Sequence, residues 1–595
     1  MSLHHYHRLR DYLQSKMSTR RISALASVCV LAVAVAAGSI RRGNDVQCRS
    51  IPGDDAWPDS SVWNNLNQTV DGNLIATIPI AAACHMTTLD KNVSLYNEEA
   101  CSALRDVWFF PTTHLVSPSS PMSYQFTNNS CNPFDQDPNT PCTVGYHVAY
   151  TINATSTAHI QAAVRFAQEH NIRLVIRNSG HDYLGKSTGA HALAVWTRHL
   201  KSRELIPDYQ NSEYSGPAVK LGAGIEGGEA YNFANENGLM VVGGNCPNVG
   251  LAGGYTQGGG ISILSSKFGL AADQVLSWEV VTSSGDLVTA SPTENEDLFW
   301  ALRGGGGGTY GIVVSMTVKA FPNTFFSAAT MSVMVADNGN KTDDIYSTMT
   351  TFFKSLPSLV DSGAWVVWIA APFGFMISPA MVADLHSAEL DALIKPTLDK
   401  MDQLGLKYTY SSAEYPDFLS AYGSMTSTWN VSDYNMGSRL IPRTLVEDDA
   451  SAEQLTTAVR HITSQALMSG VSFNVANFSS PQVSANPYLR QSIFNAVIGV
   501  PIDYSDWTET KAGQDKITHD LLPSLQSITP NGGVYLNEAD FQAPDFQTTF
   551  YGGSENYEKL LAVKRKYDPE DIFYAKTAVG SDRWEQRLDG RLCTV

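Results

Sequence analysis

Apolar positions between residues 143 and 322 follow two spacings, one typical of helices and one typical of strands. Thr157–His170 carries apolar residues every three to four positions, which predicts an amphipathic helix that Thr155 or Ser156 can cap. Another helix is expected after the glycines of GAGIEGGEAY, through Asn235. Short apolar runs predict buried strands, and these lie at His147–Ile152, Ile172–Ile176, Ala192–Trp196 and Ala218–Leu221, with a hairpin at Trp278–Thr282 and Leu287–Ala290. The mixture predicts an α+β domain.

The spacing changes after residue 322, where glycines become fewer and aromatic residues more frequent. Helical spacing is found at Asp343–Leu356, Glu389–Leu404 and Ala452–Met468, and strand-like runs at Ala364–Ala371 and Val471–Val475. We interpret this region as a second domain, with a sheet covered by helices. Residues 536–595 contain one further predicted helix, Asn556–Tyr567. Residues 39–142 show weak periodicity and are interpreted as a disulfide-pinned segment that wraps around the domains.

The N-terminus has the order of features found in a secretory signal peptide. Basic residues come first, an apolar run of 16 residues at Ile22–Ala37 follows, and small residues end it. A spanning helix needs about 20 residues, so we expect residues 1–38 to be a signal peptide that is removed. The mature protein would then be secreted and free of the membrane. The long basic leader leaves a signal anchor as the alternative.

Length and charge restrict the class of protein. At 595 residues the chain exceeds what one hydrophobic core usually supports, so at least two domains are expected, at 143–322 and 323–535. The composition, 43% apolar and 16% charged, is that of a globular protein. The net charge of −18 argues against nucleic acid and anionic membrane surfaces as partners, since both require clustered Lys and Arg.

Cysteine usage indicates an oxidising compartment. Seven cysteines follow the predicted signal, and an odd number suggests that one has another task. Candidate pairs are Cys84/Cys101, Cys131/Cys142 and Cys48/Cys593, which leaves Cys246 over. Seven N-x-[ST] sequons are compatible with glycosylation but occur at a frequency close to chance. They are Asn67, Asn92, Asn128, Asn153, Asn340, Asn430 and Asn477.

Two glycine-rich stretches, Gly243–Leu264 and Gly304–Gly308, are the most unusual part of the sequence. Such density suits backbone that approaches a ligand closely and presents N–H groups to its oxygens. Neither stretch has the pattern of a P-loop or of a strand-GxGxxG-helix unit. The alternative interpretation is a set of tight turns between strands.

Two reactive side chains accompany these glycines. Cys246 lies inside the first stretch, where a thiol can be held as a nucleophile. His181 lies in RNSGHDY, directly after a predicted strand, where Gly180 permits close approach and Arg177 and Asn178 offer donors to a diphosphate. Considered alone, each has a simpler interpretation, as a buried spare thiol and as a solvated imidazole on a turn.

Five segments, in order along the chain, carry a family resemblance. They are RNSGHDY, GGNCPNVGLAGGYTQGGG, FGLAADQV, DLFWALRGGGGGTYGIV and YDPEDIFYAKTAVGSDRW. Together they resemble the berberine-bridge-enzyme-like flavoproteins of the vanillyl-alcohol-oxidase superfamily, in particular secreted fungal oxidases. The resemblance extends from about Cys48 to Trp584.

The resemblance implies an α+β, bilobed fold and a covalently bound FAD. A PCMH-type FAD-binding domain at 143–322 would be completed by residues 536–595, and 323–535 would form an α/β substrate domain with an antiparallel sheet. His181 would carry the flavin at its 8α carbon, and Cys246 would form a second bond at C6. Arg177, Asn178, Ser179 and Gly180 would receive the pyrophosphate, and the residues lining the cofactor channel would be Gly250, Gly253, Gly254, Gly258 and Gly260.

The sequence departs from its relatives at two places. CRSIPGDDAW has Ser50 and Ala56 where relatives often have cysteines, which suggests loss of a disulfide. Near the C-terminus, where many relatives have a tyrosine that helps deprotonate substrate, this chain has Glu538. An apolar site would raise its pKa and make it a general base, while the alternative is a structural carboxylate. Tyr535 is the second candidate base.

The function implied is a secreted FAD-dependent oxidase without a metal, acting as a monomer on an alcohol or activated C–H bond of a secondary-metabolite-type small molecule. Hydride would pass to flavin N5, and O₂ would reoxidise the flavin to give H₂O₂. In relatives, a small residue before the Gly253–Gly254 pair admits oxygen, and leucine blocks it. Ala252 at that position predicts an oxidase, whereas Leu251 would predict a dehydrogenase. The alternatives are an oligosaccharide oxidase and a flavin-carrying binding protein without activity.

Overall fold

Two sheets form the first lobe of the protein. The computed structural model describes residues 46–87, 94–135, 137, 139–425, 431–478 and 482–595. A four-stranded sheet has the spatial order Leu74–Ala76, Tyr150–Asn153, Leu193–Trp196 and Leu174–Arg177, and a five-stranded antiparallel sheet has the order Arg203–Gln210, Ser215–Gly222, Ile312–Lys319, Val275–Val281 and Leu287–Ala290. The predicted strands and the predicted hairpin of this region are confirmed, although several strands begin or end a few residues from the predicted positions.

The helices of the first lobe begin where the sequence expects them. Thr157–Glu169 buries Ile160 and Val164, and the Ser156 hydroxyl accepts from the His159 backbone N–H at its start. This cap satisfies one of the donors that a helix end leaves free. Gly227–Glu236 is the predicted second helix. Shorter helices of this lobe are Ser265–Phe268 and Glu296–Ala301.

A seven-stranded antiparallel sheet forms the second lobe. Its strands have the spatial order Thr409–Tyr415, Phe326–Met334, Gly374–Ala383, Trp365–Ala371, Leu467–Ser472, Ser492–Pro501 and Tyr434–Pro442. Successive side chains of a strand point to opposite faces. One face, with Val366, Trp368 and Phe494, packs beneath helices in an apolar core. The helices of this lobe are Thr342–Asp361, Ser387–Gln403, Phe418–Met425, Asp449–Thr463, Trp507–Lys516 and Leu522–Ile528. The prediction of a sheet covered by helices is confirmed.

The end of one helix and the position of the following strand in this lobe were predicted incorrectly. The expected helix Ala452–Met468 ends at Thr463, and the expected strand Val471–Val475 is instead Leu467–Ser472. Met468 therefore belongs to the strand. The strand pairs with Trp365–Ala371 on one side and Ser492–Pro501 on the other, and this long-range pairing overrides the helical spacing of the local sequence.

The N-terminal segment is more regular than its sequence suggests. Ser60–Thr69 begins at Asp59, whose carboxylate accepts from the Ser61 and Val62 N–H groups. Further helices are Glu98–Val107 and Pro111–Leu115. The segment contacts both lobes, because Arg177 Nη2 donates to its His114 and Ser120 carbonyls while its Asn132 Nδ2 donates to the Tyr504 carbonyl.

The C-terminal residues return to the first lobe. The helix Ser554–Tyr567, expected at Asn556–Tyr567, carries Lys564, which is buried against Asp568. Lys564 Nζ also donates to the Thr309 carbonyl beside the second glycine-rich stretch (2.9 Å). Since a buried charge is tolerated only when it is paired and hydrogen-bonded, this contact anchors the glycine-rich turn to the helix. The short helix Phe546–Thr549 precedes it.

Three disulfides connect the described cysteines, Cys84–Cys101, Cys131–Cys142 and Cys48–Cys593. Cys246 is free. These are the candidate pairs of the sequence, and Cys48–Cys593 joins residues 545 positions apart.

Several sequence-based expectations concern surface or terminal residues. Asn128, Asn340 and Asn477 are exposed, and the Asn67 and Asn153 side chains are half-buried. Asn92, Asn430 and the proposed signal peptide, 1–38, lie outside the described residues. Within the described part of the chain, no helix has the length and apolarity needed to cross a membrane.

Candidate active site and cofactor cavity

A cavity of about 1660 Å³ lies between the lobes. Its first side consists of residues after the strand Leu174–Arg177 together with parts of both glycine-rich stretches. The opposite side is the uncovered face of the seven-stranded sheet, and Tyr535–Glu538 lies along the same cavity. The N-terminal segment contributes Phe109, Phe110 and Phe134, which the sequence did not indicate.

His181 reaches the cavity from a turn that requires glycine. Gly180 has φ of +91°, and a β-carbon there would stand 2.7 Å from Arg177 Nη2. His181 Nε2 donates to Asn248 Oδ1 (3.0 Å), which leaves the lone pair on Nδ1. Burial lowers the pKa of His181 to about 4, although the Asn248 contact opposes this shift. The imidazole is therefore neutral at neutral pH and presents a nucleophilic nitrogen.

The four residues predicted to receive a pyrophosphate lie in different places. Ser179 and Gly180 line the cavity. Asn178 also lines it, but its Nδ2 donates to Thr197 Oγ1 (2.9 Å) and to the Ala223 carbonyl (2.6 Å). Arg177 does not line the cavity, because the turn places its guanidinium behind the loop, against the N-terminal segment.

Glycine backbone forms one wall of the cavity. Gly250, Gly253 and Gly254 line it, whereas Gly258 and Gly260 do not. Gly258 lies against Asn537, and Gly260, with φ of +78°, lies against Ala271. A β-carbon on Gly307 would stand 2.9 Å from Gly254 Cα, so the two glycine-rich stretches meet backbone to backbone. At this contact no side chain separates the backbone from the cavity, so a ligand can approach the backbone closely.

Cys246 is a free thiol in the wall of the same cavity. Burial raises its pKa to about 11, and the nearby Glu538 carboxylate adds to the shift. The thiol is therefore protonated at neutral pH. Cys246 and Glu538, the candidate base, therefore lie on one cavity.

Glu538 is held by a residue that the sequence analysis missed. Asn495 is fully buried, and its Nδ2 donates to Glu538 Oε2 (2.6 Å). Burial raises the pKa of Glu538 to about 7, and the Asn495 hydrogen bond opposes this rise by favouring the carboxylate. A carboxyl group with this pKa can accept a proton near neutral pH. The only feature of the sequence that could have indicated this residue is that Asn495 is a polar side chain inside an apolar strand, SIFNAVIGVP.

Tyr535, the second candidate base, is engaged in hydrogen bonds of its own. Its hydroxyl oxygen accepts from Asn537 Nδ2 (2.8 Å) and from the Ile261 backbone N–H (3.3 Å). Burial raises its pKa. These contacts give Tyr535 a role in fixing the Tyr535–Glu538 turn against the first glycine-rich stretch.

Lys186 is a second residue that the sequence analysis missed. Its ammonium lines the cavity, is buried and has no hydrogen-bond partner among the described residues. Burial lowers the pKa of Lys186 to about 8. The Asp182 charge opposes this shift, but its carboxylate accepts from Leu184 and Ser187 and not from the ammonium. A buried cation without a hydrogen-bond acceptor is costly, so this position suits an acceptor supplied by a ligand. Its only sequence signal was its place in HDYLGKS, five residues after His181.

These residues fit FAD. The glycine wall lets a ligand approach the backbone closely, Lys186 lacks a hydrogen-bond acceptor among the described residues, and His181 and Cys246 are two nucleophiles on one cavity. No group of His, Cys, Asp and Glu side chains in the described ranges is arranged to hold a metal ion. The fold and the site define the protein as an FAD-linked oxidoreductase.

Comparisons with known proteins agree with this class. Residues 148–291 match the FAD binding domain model, and residues 534–580 match the berberine and berberine-like model. The chain is 41% identical over 565 residues to an FAD-linked oxidoreductase of Hypocrea jecorina, covering 94% of this chain and 96% of the relative. The chain therefore belongs to the berberine-bridge-enzyme-like family of VAO-type FAD-linked oxidoreductases.

Solved structures show the same fold. The structure is similar to that of a VAO-type flavoprotein from Myceliophthora thermophila, with a TM-score of 0.86, 39% identity, and coverage of 92% of this chain and 100% of that one. A glucooligosaccharide oxidase from Acremonium strictum, described with a 6-S-cysteinyl, 8α-N1-histidyl FAD, has a TM-score of 0.60 at 21% identity, with 74% and 93% coverage. The latter comparison concerns the fold alone.

Proposed function

We propose that the protein is a secreted oxidase with FAD attached to both His181 and Cys246, acting on an alcohol or activated C–H bond of a small molecule. The observation that carries this proposal is that His181, Cys246 and Glu538 line one cavity. The free Nδ1 lone pair of His181 and the unpaired Cys246 thiol support two attachments. The Acremonium enzyme offers a precedent in this fold. Three disulfides support an oxidising compartment.

The chain's own residues supply the proton chemistry. FAD held by these residues would supply the hydride acceptor, and its reoxidation by O₂ with uptake of a proton would give H₂O₂. Glu538, as carboxylate, takes the proton of the substrate hydroxyl, and Asn495 holds the carboxylate in place. Holding base and reacting carbon together lowers the barrier through proximity, and positioned bases typically contribute 10²–10⁴-fold.

Ala252 supports the oxidase alternative over the dehydrogenase. Both residues belong to the first-lobe core, but Ala252 also lines the cavity and Leu251 does not. A methyl group at the cavity wall leaves space for oxygen that a leucine side chain would fill.

The experiment follows both halves of the reaction. Anaerobic mixing with a panel of alcohols, phenolics and sugars should bleach the flavin, and air should restore it with release of one H₂O₂ per flavin. Ala252→Leu should slow reoxidation by O₂ but not bleaching, and Ala252→Gly serves as the control. Flavin that no compound bleaches would contradict the proposal, and bleached flavin that air does not restore would favour the dehydrogenase.

Lys186→Met should weaken FAD binding about tenfold to hundredfold, the range expected for a hydrogen bond to a charged group. The measurement uses the His181→Ala/Cys246→Ser background, where FAD can be removed and its Kd titrated. Without FAD, the same substitution should raise Tm because it removes a buried ammonium that has no hydrogen-bond acceptor. Lys395→Met, at an exposed lysine, is the control. An unchanged Kd would show that Lys186 faces another ligand.

A further inference from the structure

The sheet wall of the cavity forms a series of residue rows that lead away from Glu538. In the first row, Val367 pairs with Val471, and Val471 pairs with Asn495, the partner of Glu538. Val367 and Val471 line the cavity. The row therefore begins at the candidate base.

The second and third rows continue along the same strands. The second consists of Ile369, Ser469 and Val497, and the third of Leu467, Gly499 and Met436. All six line the cavity. Asn495 and Gly499 are four positions apart on one strand, so the rows extend about 13 Å from the base.

The chemistry of these rows is nearly uniform. The second and third rows offer one hydroxyl group, on Ser469, and no charge. Tyr434 and Asp433 follow beyond the third row. An oligosaccharide lying across these rows would lose hydration from many hydroxyl groups and gain only the Ser469 hydroxyl as a side-chain partner, which is costly. The transfer of apolar ligand surface from water to these rows, in contrast, is favourable.

We propose that the substrate is an elongated molecule, with its reacting hydroxyl at Glu538 and an apolar tail lying across the three rows. We call the rows the tail track. The proposal rests on the proposed function only for where the hydroxyl lies. It assigns the substrate to lipophilic alcohols or phenols and disfavours saccharides.

Binding of phenol, 4-ethylphenol, 4-butylphenol and 4-hexylphenol tests the tail track. Isothermal titration calorimetry on the purified protein needs no turnover. The Kd should fall about threefold to fourfold for each added methylene, as burial of a CH₂ predicts. Maltotriose should bind more weakly than 4-hexylphenol.

Ser469→Phe fills the middle row and should weaken the binding of 4-butylphenol and 4-hexylphenol at least tenfold. The Kd of phenol, which has no tail, should change less than about twofold. Ser469→Ala is the matched control, and with it the Kd should still fall as the tail becomes longer. Val497→Phe blocks the same row from the neighbouring strand, if Ser469→Phe does not fold.

A Kd independent of tail length, an equal loss for all four phenols in the blocked variants, or tighter binding of maltotriose would overturn the proposal. Length-dependent binding in a protein whose flavin no alcohol bleaches would support the tail track and contradict the oxidase function. The two failures are thus distinguishable.

Discussion

Denatured wild-type protein should keep its yellow flavin through gel filtration, and the His181→Ala/Cys246→Ser double variant should release all of it. Each single variant should retain flavin through the remaining bond. The reason is geometric, since both nucleophiles line one cavity and neither is consumed by another covalent partner. Absorbance of the protein fraction and of the free fraction measures the result.

His461→Ala is the matched control for these variants, because this histidine lies on an exposed helix face, where its side chain contacts Asp520 and Gln465. It should leave attachment unchanged. Release of free FAD from the wild type would contradict covalent binding altogether. Release from His181→Ala alone would indicate a single tether and assign Cys246 another role.

Glu538→Gln should lower kcat by about 10²–10⁴, the usual contribution of a positioned base. In the wild type, kcat/KM should rise as pH increases through about 7, because the base acts as carboxylate and burial raises its pKa to about 7. The variant should lose this rise. Asn495→Leu should move it to higher pH, since the Asn495 hydrogen bond favours the carboxylate.

Tyr535→Phe distinguishes the two candidate bases. Its hydroxyl accepts two hydrogen bonds within the turn, so its loss should alter KM or stability while keeping the pH dependence. If Tyr535→Phe abolished the rise near pH 7 and Glu538→Gln retained it, the assignment of the base would be reversed.

The free energy of unfolding shows whether Glu538→Gln loses activity because the base is missing or because the variant is misfolded. The folded-state pKa of Glu538 lies above its unfolded value of about 4.3, so its stabilising contribution is present below that value and is lost as pH rises to about 7. Glu538→Gln removes this dependence. At pH 8 its free energy of unfolding should exceed that of the wild type by on the order of 3 kcal/mol, measured by denaturant titration.

Local sequence was sufficient where local chemistry decides the structure. Thr157–Glu169 formed as expected because its apolar stripe and the Ser156 cap lie within a few residues of one another. The glycine before His181 was informative because only a residue without a β-carbon suits φ of +91° beside the Arg177 guanidinium. Ordered motifs were enough to indicate the family.

Long-range contacts decided what the sequence could not. Leu467–Ser472 became a strand because two distant strands pair with it. Folding buries the Lys186 ammonium without a hydrogen-bond acceptor. It also brings the Asn495 side chain to Glu538, so the importance of both residues depends on the tertiary structure. Arg177 turned away from the cavity because the N-terminal segment supplies its acceptors.

By itself the sequence determined the flavoprotein class, the two candidate tethers and several helices and strands of the first lobe, since these depend on residue type and short spacing. Only the tertiary structure decided that His181, Cys246 and Glu538 share a cavity, which glycines line it, and that a nearly uncharged sheet face leads away from the base. The physical reason is that burial and pairing set a side chain's pKa and its neighbours, and both arise when distant segments meet.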